Sequence, residues 1–423
     1  MQRVSTRVLA RLLYAAGAIG LVLVALISLP RQTETPASAA TCAPSLPHVS
    51  DTTLETIVSS SVTRQYYLQI PPSYTGTTTV PLVFLFHGRS GNAAPMASFT
   101  RLNTRADSEG FILVSPQGLP QPPSGITGWN MVLSTAPGAT ADLQLVEDML
   151  DELESELCID PLRVYSTGYS AGGMMSVRLA CSLSDRIAAV APVVGVYYPP
   201  ISTTLAPTET CPDTRPVPVA AFVGEDDLYW PFHGGTSTGI PTLTGLADIE
   251  AQTMPNWATH NGCSTTPVMS MPFPGVRLAE NPGCADGATT RLYVVEDVDG
   301  PGPETAGMGH QWPDSASDLF FPPPVISFGL NTHLMSATDV MWDFFETHPM
   351  PQAEPTPSPS PSPEPTPTPV PPPGPFPVGG YVGLVGGASA DGGASPIAPV
   401  SVVVGLLLLG AGGIYVARMR RDQ

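Results

Sequence analysis

Apolar, β-branched runs recur through the middle of the chain at residues 62–70, 80–86, 111–114, 164–166, 188–194, 217–223 and 292–295, each short enough for a buried strand. Between them, apolar positions take helical spacing at 96–108, 141–157, 172–182, 247–261 and 336–347. Strands alternating with helices in this way predict an α/β domain, with a mostly parallel central sheet and helices on both faces. The segment TRQYYLQI at 63–70 alternates polar and apolar side chains, which predicts an antiparallel edge strand. The alternation fills residues 42–348 and leaves no room for a second large domain.

Both ends depart from this pattern. Arg3, Arg7 and Arg11 precede an apolar run at 12–29 and the small residues Ala37, Ala39 and Ala40, which reads as a secretory signal over 1–40; an uncleaved anchor is the rival reading. Residues 399–417 are apolar and uncharged, and Arg418, Arg420 and Arg421 follow in a tail at 418–423. A membrane helix with its cationic end in the cytoplasm is expected there, leaving the body outside the cell. Proline at every second position over much of 349–378 enforces extended backbone, so this stretch reads as a stalk, followed by a Gly-rich linker at 379–398.

Charge narrows the function classes. All 17 cationic residues are Arg, and seven of them lie at the two ends; residues 42–396 hold 34 acids against 10 Arg, a net of −24. Such a body is a poor partner for nucleic acid, and its field should repel highly anionic substrates at low salt. The six cysteines Cys42, Cys158, Cys181, Cys211, Cys263 and Cys284 are even in number and suit an exported, disulfide-bonded chain, and no cluster has metal-ligand spacing. Cys158 enters a strand and Cys181 lies about three turns down the helix that runs back beside it, which predicts that these two pair. Cys263 and Cys284 bracket one loop, and Cys42 then pairs with Cys211 by elimination.

The chemistry centres on Gly168-Tyr169-Ser170-Ala171-Gly172-Gly173, placed between the strand RVYST and the helical MMSVRLACSL. A serine becomes an accessible nucleophile when it projects from a tight strand-to-helix turn, and the flanking glycines allow such a turn. The helix behind Ser170 directs N–H groups at a developing oxyanion, with Ala171 N–H as one donor. A second donor is expected after the strand 80–86, in His87-Gly88-Arg89-Ser90-Gly91-Asn92, from the Arg89 N–H; His87 is expected to shape this loop rather than act as base. The base must follow an acid in chain order, which selects His310 in Gly307-Met308-Gly309-His310-Gln311-Trp312-Pro313. The acid lies in Glu225-Asp226-Asp227 at the end of PVPVAAFVG, where spacing alone leaves Asp227 level with Asp226 and Glu225 together.

Read in order, HGRSGN, GFILVSPQG, GWN, CIDPLRVYSTGYSAGGMMSVRLAC, RIAAVAPVVG, RPVPVAAFVGEDDLYWPFHGG, NGC and GHQWP resemble the esterase family of polyhydroxybutyrate depolymerases and feruloyl or acetyl-xylan esterases. The resemblance covers roughly residues 65–348 and implies the α/β-hydrolase fold, with Ser170 as nucleophile, Asp227 as acid and His310 as base. Val223 and Glu225 stand where the family usually has His and Thr. Trp129, Tyr229, Trp230, Phe232 and Trp312 sit on loops at the expected catalytic edge, and Trp129, Trp230 and Trp312 are the candidate substrate-binding residues. The expectation is a cell-surface serine esterase working through an acyl-enzyme, without metal or organic cofactor, on a plant-polysaccharide ester or a polyester. Acyl transfer through the same triad is the alternative within enzymes. An inactive surface binding module is the alternative outside them, and an intact Ser-acid-His set argues against it.

Overall fold

The computed structural model describes residues 42, 51–121, 125–131, 140–202, 210–212, 214–296, 308–317, 331–352 and 374. Contacts divide the chain into Met1–Pro355 and Thr356–Gln423, and every helix and strand described belongs to the first unit. The predicted signal segment, the apolar segment 399–417, and the stalk and linker from 353 onward, Gly374 apart, lie outside the described residues. Among the described residues no helix is long and apolar enough to cross a membrane.

The strands are β1 (Thr52–Ser59), β2 (Val62–Gln69), β3 (Val80–Phe86), β4 (Ile112–Pro116), β5 (Leu119–Gln121), β6 (Ile126–Gly128), β7 (Ile159–Tyr169), β8 (Ala189–Val193), β9 (Val219–Gly224), β10 (Val268–Phe273), β11 (Val276–Asn281) and β12 (Thr290–Val295). All but β5 and β6, which pair as a small hairpin, form one ten-stranded sheet in the order β1-β2-β4-β3-β7-β8-β9-β12-β11-β10. The six central strands, β4 to β12 in this order, are parallel, and antiparallel strands close both edges. Strands β4, β8 and β9 are buried along their whole length, as parallel strands covered on both faces must be.

Alternation along β3 divides the core into two layers. Leu82, Phe84 and Phe86 point to one face and pack with Val146, Met149 and Leu150 of α3 (Ala141–Glu156) and with Met175 and Leu179 of α4 (Ala171–Ser182). Val83 and Leu85 point to the other, among residues of α1 (Ala93–Phe99), α2 (Leu102–Glu109) and α6 (Ala337–Glu346). There Trp342 stacks on Phe111 at 4.3 Å and Phe345 on Tyr165 at 4.7 Å. This is the α/β-hydrolase arrangement, with the turns that follow β3, β7 and β9 meeting the described segment 308–317 at one end of the sheet.

Several local expectations are corrected. The helix predicted over 96–108 is two helices, because Arg101 takes a left-handed φ of 61° and the carbonyls of Phe99 and Thr100 accept bonds from Ala316 N–H and the Thr338 hydroxyl. The strand predicted at the sheet edge, β2, is antiparallel on both sides but lies one place inside it, covered by β1. Residues 247–261 begin as a wide helical turn, Ile249–Thr253, before α5 (Met254–His260). The hairpin of β10 and β11 lay hidden because β10 is exposed over nearly its whole length and follows no burial alternation.

Two of the three predicted disulfides are also corrected: the bonds are Cys42–Cys158, Cys181–Cys211 and Cys263–Cys284. Lying at one end of the sheet does not make two cysteines partners, because a bond needs Cα atoms about 4.4–6.8 Å apart. The loop carrying Cys211 is stitched against the turn after α4 by Arg215, which donates to the carbonyls of Ser184 and Ile187, and Cys181 and Cys211 come within 5.1 Å. Cys158 lies instead beside the loop before β3, its N–H bonded to the Tyr74 hydroxyl.

Candidate active site

Strand β7 delivers the chain to Ser170 and α4 starts at the next residue. Ser170 has φ 55° and ψ −117°, a conformation that L-residues adopt only under constraint. The constraint is visible: Ser170 N–H bonds the Val193 carbonyl at 2.9 Å, and its own carbonyl receives Met174 N–H at 3.0 Å. The turn also presses on the end of β3. A Cβ on Gly168 would stand 2.8 Å from the Phe86 carbonyl oxygen, and one on Gly172 would overlap that same carbonyl. Only glycine fits at either position, and the result is a serine held out over the sheet edge.

His310 follows β12 on a segment that crosses the end of β9, where Gly224 leaves room for the Met308 and Gly309 carbonyls. Tyr169 fixes its backbone, donating its hydroxyl to the His310 carbonyl at 2.6 Å. Burial, and the nearby Asp227 after it, hold the Tyr169 phenol well above its usual pKa, so it stays a donor. Asp227 resolves the acidic triplet. It is 4% exposed, whereas Asp226 is exposed and Glu225 half-buried. Its Oδ1 accepts the N–H groups of Tyr229 and Trp230, both at 2.8 Å, which leaves Oδ2 facing His310 Nδ1 at 2.7 Å. His310 Nε2 lies 2.8 Å from Ser170 Oγ. An ionised carboxylate only accepts, so Nδ1 carries the proton and Nε2 is left to receive the serine proton. The structure thus brings together the three residues the sequence singled out.

The loop from His87 to Asn92 borders the same space, and Arg89 and Ala171 both line the cavity at Ser170. As first residue of α4, Ala171 has no acceptor for its N–H one turn back within the helix. His87 is buried beneath the loop as a strut. Its Nε2 accepts Gly118 N–H at 2.9 Å, so the proton is on Nδ1, which donates to the Gly88 carbonyl at 2.7 Å. Trp129 closes the other side, its indole N–H on the His87 carbonyl at 2.7 Å. Behind Trp129, the N–H of Asn130 bonds Asp142, whose other oxygen meets Arg64 at 2.8 Å in a fully buried ion pair.

Burial lowers the His87 pKa from its usual 6.5, the Gly88 carbonyl and Asp142 opposing more weakly. Protonation would set a second N–H against that of Gly118. The unfolded chain binds this proton near pH 6.5 and the folded chain only below it, so stability falls as pH drops below about 6.5. A His87→Gln variant lacks this titration and should lose less stability between pH 7 and 5, read as the shift in urea midpoint; equal losses in both proteins would remove His87 as the cause.

The cavity over Ser170 and His310 measures about 730 Å³, a size that suits a small organic ligand. Of the three predicted substrate-binding tryptophans, only Trp230 lines it, together with Tyr229, whose ring centre lies 5.2 Å from that of His310. Trp129 and Trp312 are corrected: Trp129 packs edge-on against Phe86 under the His87 loop, and Trp312 is fully buried with its N–H on the Thr338 hydroxyl. Phe232 is likewise core. The other lining residues include the aliphatic and sulfur-bearing Met96, Met131, Met174, Ile201 and Leu243, with Asn92, Thr242 and Ser317 as polar members. Met174, one turn after Ser170, was readable from helical spacing, whereas Ile201 and Leu243 sit on irregular loops that carry no periodic signal. Among the described residues no group of three or more His, Cys, Asp or Glu could hold a metal ion.

Residues 64–221 match the family model described as esterase PHB depolymerase. The chain is 29% identical over 234 residues to feruloyl esterase B of Piromyces equi, covering 55% of this chain and 41% of that protein, so it spans less than half of that relative's length. It is 28% identical over 308 residues to the putative esterase NocK of Nocardia uniformis subsp. tsuyamanensis, covering 69% and 82%. Among solved structures, the acetyl xylan esterase from Aspergillus awamori superposes with a TM-score of 0.42 at 16% identity, over 58% of this chain and 93% of that one.

Proposed function

We propose that this chain, whose residues 64–221 match the family model described as esterase PHB depolymerase, is a serine hydrolase of carboxylic esters that works through an acyl-enzyme. The observation carrying this reading is the hydrogen-bonded series Ser170–His310–Asp227, at 2.8 and 2.7 Å, on the wall of a largely apolar cavity. Ser170 Oγ attacks the ester carbonyl as His310 Nε2 takes its proton, and Asp227 steadies the imidazolium. The carbonyl oxygen, now charged, is held by the N–H groups of Arg89 and Ala171. His310 then returns the proton to the departing alcohol. Water, deprotonated by the same nitrogen, releases the acid and restores Ser170.

Feruloyl esters, acetylated xylan and polyhydroxybutyrate are the substrate classes that the relatives' names favour. The cationic N-terminus and the apolar segment 399–417 support export and anchoring in the cell membrane with the catalytic unit outside. The full chain, assayed on p-nitrophenyl acetate, methyl ferulate and a short hydroxybutyrate oligomer, should release acid from at least one, and the relative rates name the class. A folded protein inactive on all three would overturn the reading.

A further inference from the structure

Arg89 stands apart from every other arginine among the described residues. The other nine are engaged: Arg64, Arg101, Arg105, Arg163, Arg186, Arg277 and Arg291 pair with carboxylates, while Arg178 and Arg215 bond backbone carbonyls. The Arg89 guanidinium has no hydrogen bond or ion pair with any described residue, in a body that holds 34 acids against 10 Arg. An unattached arginine on an acid-rich surface is most often solvated, but the place of this one is specific. It is exposed, two residues beyond His87, on the wall of the cavity that holds Ser170 and His310. None of the described residues lining that cavity is acidic, and among them Arg89 is the one with a permanent charge.

Resting on the esterase reading, we propose that Arg89 makes this cavity selective for esters that carry a single carboxylate away from the bond to be cleaved. The planar guanidinium offers paired donors matched to a carboxylate. The acidic body repels polyanions as a whole, so a cation free of acidic partners beside the reaction centre is what makes a singly charged substrate acceptable there. The apolar walls then take the rest of the acyl chain or alcohol.

Two matched substrate pairs separate the side on which the carboxylate sits. For the acyl side, p-nitrophenyl valerate is compared with the p-nitrophenyl monoester of glutarate; for the alcohol side, methyl 4-acetoxybenzoate with 4-acetoxybenzoate. The readout is the anionic-to-neutral ratio of kcat/KM in the full chain. In Arg89→Gln the ratio for one pair should drop about two- to fivefold, as loss of a solvent-accessible charge pair implies, and Arg89→Lys, which keeps the charge but not the planar fork, should restore part of it. Ratios unchanged in both pairs, including the case where anionic and neutral rates fall by one common factor, would overturn the assignment. Binding of the glutarate monoester to Ser170→Ala, with and without Arg89→Gln, gives a second readout independent of turnover, and equal affinities there count against it. If wild type cleaves none of the neutral esters, the esterase reading fails first.

Discussion

Ser170→Ala is expected to keep its fold and to lose ester hydrolysis by about 10⁵- to 10⁶-fold in kcat, the scale seen when a serine nucleophile is removed from a working triad. The side chain lost is small, and both backbone bonds that fix its turn, to Val193 and from Met174, are made by main-chain atoms that alanine keeps. Thermal unfolding should therefore be nearly unchanged while the burst of p-nitrophenol that reports the acyl-enzyme disappears. A variant that retains activity within tenfold of wild type would mean that another group attacks the ester.

Asp227→Asn tests the orienting half of the site, and its expected effect is about 10⁴-fold in kcat with the geometry intact. The two N–H groups of Tyr229 and Trp230 converge on Oδ1, so an asparagine must keep its carbonyl oxygen there. Its NH₂ then faces His310 Nδ1, which must become an acceptor, and the imidazole proton moves to Nε2. Ser170 consequently meets a donor where it needs a base. Asp226→Asn and Glu225→Gln, which leave this exchange alone, should change kcat little. If they prove as damaging as Asp227→Asn, the acid has been placed wrongly within the triplet.

How far the sequence carried depends on how local each signal is. Strand β3 was legible to its ends because seven apolar residues stop at His87-Gly88, and Ser170 was legible because the turn needs glycine on both sides. Asp227 was only partly so: three neighbouring carboxylates look alike until the folded turn buries one and exposes another. Pairings made across the sheet were the least legible. Cys181 meets Cys211 where Arg215, four residues beyond Cys211, bonds the carbonyls of Ser184 and Ile187 after α4, side-chain-to-backbone bonds that no spacing announces. Trp129 and Trp312 misled for a related reason. Both are large aromatic residues on loops at the catalytic edge, yet each has its indole N–H satisfied inside, so neither turns toward the cavity.

The two halves of the site rest on different supports. The loop from His87 to Asn92 is braced by His87, Gly118 and Trp129, with the Arg64–Asp142 pair behind them, whereas Asp227 and His310 are braced by Tyr229, Trp230 and Tyr169. Changes in free energy at sites that share no partner tend to sum. Trp129 and the turn of Asp227 share none of these hydrogen bonds, so mutations at those two places should combine as nearly independent factors, whereas Tyr169, whose ring lies against Gly88, touches both halves. Drift in one half need not be compensated in the other, which leaves this scaffold open to gradual change of its acyl preference without dismantling its proton transfer.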